Sequence, residues 1–230
     1  MITRAFSASY IGIHAYEVEV EVDVTNGLPQ FQVVGLPDVS VKESKERVRS
    51  AIKNTGYPFP MEKITVNLAP ADIKKEGPAF DLPIALGILA ANEIIHPDKL
   101  RNYTFLGELA LDGTLRPFKG SLVIAGNLSR KRTFIFPEQN AKEAALEKNV
   151  TVYGVKSLKE VVNFLQGETV LEPQTSPYAA SSEFQQASDV DFSEIRGQEA
   201  VKRALEIAIS GGHNILLIGP PGSGDSVSIG

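Results

Sequence analysis

The chain has no cysteine. Disulfides and thiolate chemistry are therefore excluded, and a reducing cytoplasm is the expected location. Histidine is scarce: His14, His96 and His213 lie far apart, and none has a second ligand at metal spacing. His213 precedes an apolar run, where a structural hydrogen-bonding role is expected of it. Long apolar runs are missing as well. The longest, "IALGILAANEII", falls far short of the roughly 20 residues that span a bilayer, and the start "MITRAFSASYIGIHAYE" lacks the unbroken apolar core of a signal peptide. No membrane partner is expected. Positive charge is not in excess either. With 23 Lys+Arg against 28 Asp+Glu the net charge is −5, so nothing global draws the chain to nucleic acid. No aromatic residues are interleaved with the basic ones to stack single-stranded bases.

What is present reads as a mixed α/β protein. Residues 15–24, "AYEVEVEVDV", alternate valine with acid, the period of a strand with one buried face. "LPQFQVVGL" is a second short strand. Residues 38–57 turn helical, with Ser40 and Glu43 as a capping box, Val41, Val48 and Ile52 as the apolar stripe and Gly56 as the stop. "KITVNLA" at 63–69 is a strand, and Asp81 is a plausible N-cap for the helix "LPIALGILAANE". Residues 103–116 are predicted to form a hairpin turned by Asp112-Gly113. Then follow a helix from Ser121, the strand "TFIFP", a helix over 138–148, the strand "VTVYGV" and a helix over 157–165. Residues 167–191 are rich in Ser, Gln, Pro and Ala without a period and read as a linker. Beyond it, 192–210 is helical and "HNILLIG" is a buried strand. The expected organisation is a domain at 1–166, a linker at 167–191 and the start of a second domain at 192–230.

That second domain ends in "LLIGPPGSGDSVSIG". Gly219, Pro220, Pro221, Gly222, Ser223 and Gly224 match the opening of G-x-x-x-x-G-K-[ST]. In such a loop backbone N–H groups and a helix N-terminus cradle phosphate. The lysine position holds Asp225, while Ser226 keeps the hydroxyl that would bind Mg²⁺. A carboxylate there replaces attraction by repulsion, a loss on the order of 4 kcal/mol for charges at contact. No acidic Walker B strand, sensor or arginine finger is present. The tail "DSVSIG" is unlike the helix that should follow and reads as a junction or frame change. Useful nucleotide binding by these residues alone is not expected.

Several blocks in order, "KITVNLAPADIKKEGPAFDLPIALG", "LPQFQVVGLPDVSVKESKERVRSAIKNTGY", "FLGELALDGTLRP" and "IRGQEAVKRALEIAISGGHNILLIGPPGSG", closely resemble the magnesium-chelatase-like AAA+ ATPases of the ComM/YifB group. The resemblance covers essentially the whole chain up to Gly224. It implies a domain with the ribosomal-S5-domain-2-like, Lon-protease-like fold, followed by the beginning of a P-loop AAA+ domain. It also implies ATP and Mg²⁺ as cofactors of the parent, a homo-oligomeric hexamer, and helicase-like DNA branch migration in recombination and natural transformation. Lon-like peptidases carry a serine in K-x-G-P-S-A and a lysine further on. Here Ala79 falls at the serine position and Leu122 at the lysine position, with Lys119 three residues early. Peptidase activity is therefore not expected; a rearranged Ser121/Lys119 pair is the only residual route.

Other constellations have blander readings. Asp72, Glu76 and Asp81 cluster near the expected groove, where capping and ion pairs with Lys74 and Lys75 are the default. Lys42, Lys45, Arg47, Arg49 and Lys53, and the triplet Arg130-Lys131-Arg132, could contact phosphates, but Glu43 and Glu46 on the same helix favour a solvated face. Two rivals to the DNA motor stay open: a chelatase-type ATPase chaperone that remodels protein partners, and a non-enzymatic interaction module with a vestigial loop.

Overall fold

The computed structural model describes residues 1–129, 132–148, 150–175 and 197–219. They divide between two compact units, Met1–Ala180 and Ser181–Gly230.

The valine–acid alternation builds the middle of the first unit. Strand β2 (His14–Thr25) buries Val18, Val20 and Val22 and turns Glu19, Glu21 and Asp23 outward. It pairs antiparallel with β1 (Ile2–Ile11) along the whole of that strand, and antiparallel with β4 (Lys63–Ala69). The seven-stranded sheet continues with β3 (Gln30–Val34), β5 (Tyr103–Phe105), β8 (Thr133–Pro137) and β9 (Thr151–Val155), in the order β3-β4-β2-β1-β5-β8-β9. The pairs β3–β4, β1–β5, β5–β8 and β8–β9 are parallel, so the sheet is mostly parallel and the fold is α/β.

Three helices cover one face. These are α1 (Val39–Asn54), α2 (Asp81–Ala91) and α6 (Leu158–Gln166), which close a core with the inward side chains of β1, β2, β4 and β5. On the other face α4 (Ser121–Leu128) and α5 (Glu138–Ala144) enclose Ala8, Phe134, Phe136 and Val152. That cover reaches the start of β2 at Ala15 but leaves the outward side of the rest of β2 and of β4 without a helix. There Arg4 pairs with Glu19 (2.9 Å) and Glu21 (3.2 Å), and Asn67 donates to Glu21 (2.9 Å). Gly35 lets β3 approach closely, because a Cβ on it would sit 2.2 Å from the Leu68 carbonyl oxygen and its φ is +93°.

Several expectations need correcting. The cap of α1 is Asp38, whose carboxylate accepts from Val41 N–H at 2.7 Å; Ser40 lies inside the helix. Asp81 is the first residue of α2 and caps nothing, because a 3₁₀ turn over Pro78–Phe80 already leads into that helix. The expected hairpin over 103–116 shrinks to two short strands, β6 (Glu108–Leu109) and β7 (Leu115–Arg116), while β5 joins the main sheet. Helix α5 stops at Ala144, short of 148. A short α3 (Pro97–Leu100) and the whole of β1 were not foreseen. The first residues of the expected linker dock on the sheet: Leu171 packs on the core, and Gln174 N–H donates to Val152 O at 2.8 Å.

The second unit contributes α7 (Glu199–Gly211), which buries Leu205 and Ala208. The run at 213–219, expected as a buried strand, is neither strand nor buried: Leu216 is 81% and Ile218 89% exposed. A strand in a parallel sheet needs neighbours and covered faces, and no described residue pairs with this run.

Candidate functional site

A groove of about 560 Å³ opens where the resemblance places a peptidase centre. Its walls come from the end of β1 (Ala8, Ser9, Tyr10), the turn into α1 (Asp38), residues 76–80, Leu106 after β5, and residues 117–119 with Ile124 of α4. Asp38 ties two walls together, since its second oxygen accepts from Gly77 N–H at 3.2 Å while the first caps α1. The backbone of 36–38 is laced to Lys75, with Lys75 N–H on Leu36 O (3.1 Å) and Asp38 N–H on Lys75 O (3.0 Å). Tyr10 packs closely against Gly120, where a Cβ would come within 2.3 Å of the ring.

Ala79 lines this groove as expected, and its methyl group offers no nucleophile. Lys119 lines it too, whereas Leu122 is 38% exposed. Ser121 is fully buried; its hydroxyl donates to Glu143 and accepts from Asn140 Nδ2 at 3.3 Å. Asn140 also clamps Phe118, accepting its N–H (3.0 Å) and donating to its carbonyl (2.8 Å). That network engages the Ser121 hydroxyl with α5 residues, Glu143 and Asn140, and not with Lys119. Ser9 and Tyr10 were missed by the sequence reading, because β1 carried no periodic signal strong enough to place it.

The three acids are not one site. Glu76 lines the groove and pairs with Lys74 at 2.8 Å, Asp72 is exposed, and Asp81 is buried elsewhere. Asp81 receives both Arg47 Nε (2.6 Å) and Nη2 (3.0 Å), and Leu109 N–H at 3.2 Å. Burial pushes its carboxyl up to about 6, against the opposing pull of Arg47 and of the Leu109 N–H. The second expected partner, Lys75, is instead fully buried, with Nζ donating to Ile73 O at 2.7 Å. Burial lowers its pKa, and the charge of Asp72 partly offsets that.

The basic residues of α1 are divided in the same way. Arg47 is committed to Asp81, and Arg49 lies over the Phe59 ring at 5.8 Å. Lys42, Lys45 and Lys53 remain exposed. Arg132 pairs with Glu17 (2.8 Å) and covers the Phe6 ring (4.3 Å), while Arg130 and Lys131 lie outside the described residues. His14 is exposed on β2, His96 Nδ1 accepts from Asp98 N–H at 3.4 Å, and His213 N–H donates to Ala208 O at 2.8 Å. Among the described residues no group of three His, Asp or Glu could hold a metal ion. No described helix is long and apolar enough to cross a membrane. Of the glycine loop only Gly219 is described. Pro220, Pro221, Gly222, Ser223, Gly224, Asp225 and Ser226 lie outside the described residues.

Comparison with known proteins defines the class. The family model described as "Subunit ChlI of Mg-chelatase" matches residues 20–140, and "Magnesium chelatase, subunit ChlI" matches residues 191–229. The chain belongs to this magnesium-chelatase ChlI-like family, in the group of ComM and YifB. It is 44% identical to "Competence protein ComM" of Haemophilus influenzae over 225 residues, covering 96% of this chain and 44% of that protein. It is also 44% identical to the uncharacterized protein YifB of Escherichia coli over 218 residues, covering 94% of this chain and 42% of that one. An uncharacterized protein of Mycobacterium tuberculosis is 36% identical over 226 residues, 97% of this chain and 44% of that protein. The chain thus spans less than half the length of these relatives.

Proposed function

We propose that these residues form the front of a cytoplasmic, ATP- and Mg²⁺-dependent AAA+ motor that acts on DNA during recombination and natural transformation. The observation that carries the reading is the identity to the competence protein along 96% of the chain, with both family matches in the same order. In this reading residues 1–166, together with the docked stretch at 171–174, are a Lon-like domain without peptidase function, the rest of 167–191 is a linker and 192–230 is the entry to the ATPase domain. The parent is a hexameric ring. Any DNA contact made by the first domain falls on the α1 side, where Lys42, Lys45 and Lys53 are exposed. On the outward face of β2 the positive groups Arg4 and Arg132 are already paired with Glu17, Glu19 and Glu21, so that face offers phosphate no free cation cluster of this kind among the described residues.

The test uses the protein at the length of its relatives, with lysine at position 225, on a synthetic four-way DNA junction. ATP-dependent unwinding is the expected result. ATP hydrolysis that responds to protein partners but leaves the junction intact would instead support the chaperone reading, which the chelatase family name favours. Failure to bind ATP with lysine in place would leave the interaction-module reading.

A further inference from the structure

Strand β1 is longer than the strand beside it. It pairs with β2 from Ile2 to Ile11, but on its other side β5 meets it only where Phe6 lies opposite Thr104. After Phe105 the chain turns off: Leu106 N–H goes to Ile135 O and Gly107 N–H to Ala79 O. Among the described residues, 8–11 therefore have no strand on that side. In an antiparallel pair alternate residues turn their N–H and C=O away from the partner. This stretch thus offers main-chain donors and acceptors sideways, and what lies there is the groove. Ala8, Ser9 and Tyr10 form one wall, with Ala79, Phe118 and Lys119 among the others.

We propose that the groove holds an extended segment of a partner protein, which adds as a strand to the bare part of β1 and is bound without being cut. Backbone groups left bare beside an apolar wall are best satisfied by another backbone. The groove is lined mainly by apolar side chains such as Leu106, Phe118 and Ile124, and Ile11 and Ile13 stand exposed at the end of β1, 63% and 74%. The volume of about 560 Å³ lies within the range of ligand sites, about 300 to 1,000 Å³. Charge narrows the choice. Asp38 and Glu76 line one side and Lys119 the other, and the pair between Glu76 and Lys74 is exposed and therefore weak enough to exchange, so the segment carries apolar residues around a basic one. The same carboxylates disfavour a phosphodiester backbone. The bound segment stays whole because Ala79 supplies no oxygen and the Ser121 hydroxyl is held by Glu143 and Asn140. The inference concerns this chain alone and does not depend on the motor reading.

The test is fluorescence anisotropy of the 230-residue chain with a labelled peptide of alternating valines around a central arginine. Binding is expected, with the peptide recovered intact by mass spectrometry. N-methylation of alternate peptide nitrogens should weaken it at least about tenfold in whichever of the two frames faces β1. Ala79→Trp, which fills the groove, should weaken it similarly. Should that variant not fold, Glu76→Lys at the exposed rim should weaken the arginine peptide and strengthen a glutamate version. No binding, equal binding of both N-methylated frames, cleavage of the peptide, or its displacement by a single-stranded oligonucleotide would each overturn the proposal.

Discussion

Residues 63–69, "KITVNLA", and 213–219, "HNILLIG", are two seven-residue apolar-rich runs with opposite fates. The first lies between β2 and β3, and its Ile64, Val66 and Leu68 are no more than 1% exposed. The second forms no strand among the described residues, and Leu216 and Ile218 face outward. Composition does not separate them. The first run has two strand neighbours and the helix layer of α1 and α2 to cover its apolar side. Strand character is a property of the surroundings as much as of the run itself.

Breaking the cover of the first run should have the largest effect. Arg47→Ala leaves Asp81 buried without its partner between α1 and α2, and at neutral pH it should cost about 3 to 5 kcal/mol in urea unfolding. The pH profile gives a signature. Asp81 has a folded pKa near 6, above its ordinary 3.8, so the folded state holds the proton more tightly. Its contribution to stability is full below 3.8 and is lost as pH rises through about 6. In Arg47→Ala the carboxyl loses the group that lowers it, and the loss should continue to higher pH. Asp81→Asn should flatten this part of the profile. Next comes Leu68→Ala, about 3 kcal/mol from the cavity left under β4, by the same measurement. Gly35→Ala should cost about 2 kcal/mol by forcing β3 away from the Leu68 carbonyl, which thermal melting would detect. The smallest effect sharpens the contrast. Leu216→Ala should change unfolding by no more than about 0.5 kcal/mol, the range of ordinary surface substitutions. A larger loss would mean that the second run is covered after all.

How much could be read beforehand follows the same line. Strands β2, β4, β8 and β9 were legible because valine, isoleucine and phenylalanine carry them, as were α1, from its apolar stripe though not its cap, and the helices α4 and α6. Strand β1 was not. Its inward residues Thr3, Ala5 and Ser7 are small or polar, and they are buried through hydrogen bonds such as Ser7 Oγ to Phe105 O (2.9 Å), which no local pattern announces. The groove was legible only in part. Ala79 was placed through the resemblance, and the wall made by Ser9 and Tyr10 depends on an unseen strand. Asp81 was read as a cap because it precedes an apolar helix. Its partner Arg47 is 34 residues away, beyond the reach of any local rule. Ser121 was weighed as a nucleophile, and only the fold reveals Glu143 and Asn140 beside it.

The docking of residues 171–174 on β9 has a consequence for how copies of this protein can meet. The bridge Tyr153–Pro173 and the bond from Gln174 N–H to Val152 O cover that margin of the sheet, which leaves β3 as the terminal strand without such a cover among the described residues. Open-ended stacking by margin-to-margin pairing needs two sticky sides on every unit. With one margin blunted, margin-to-margin pairing through β3 ends at a pair, and growth into a fibre would have to recruit the bare part of β1 in the groove instead.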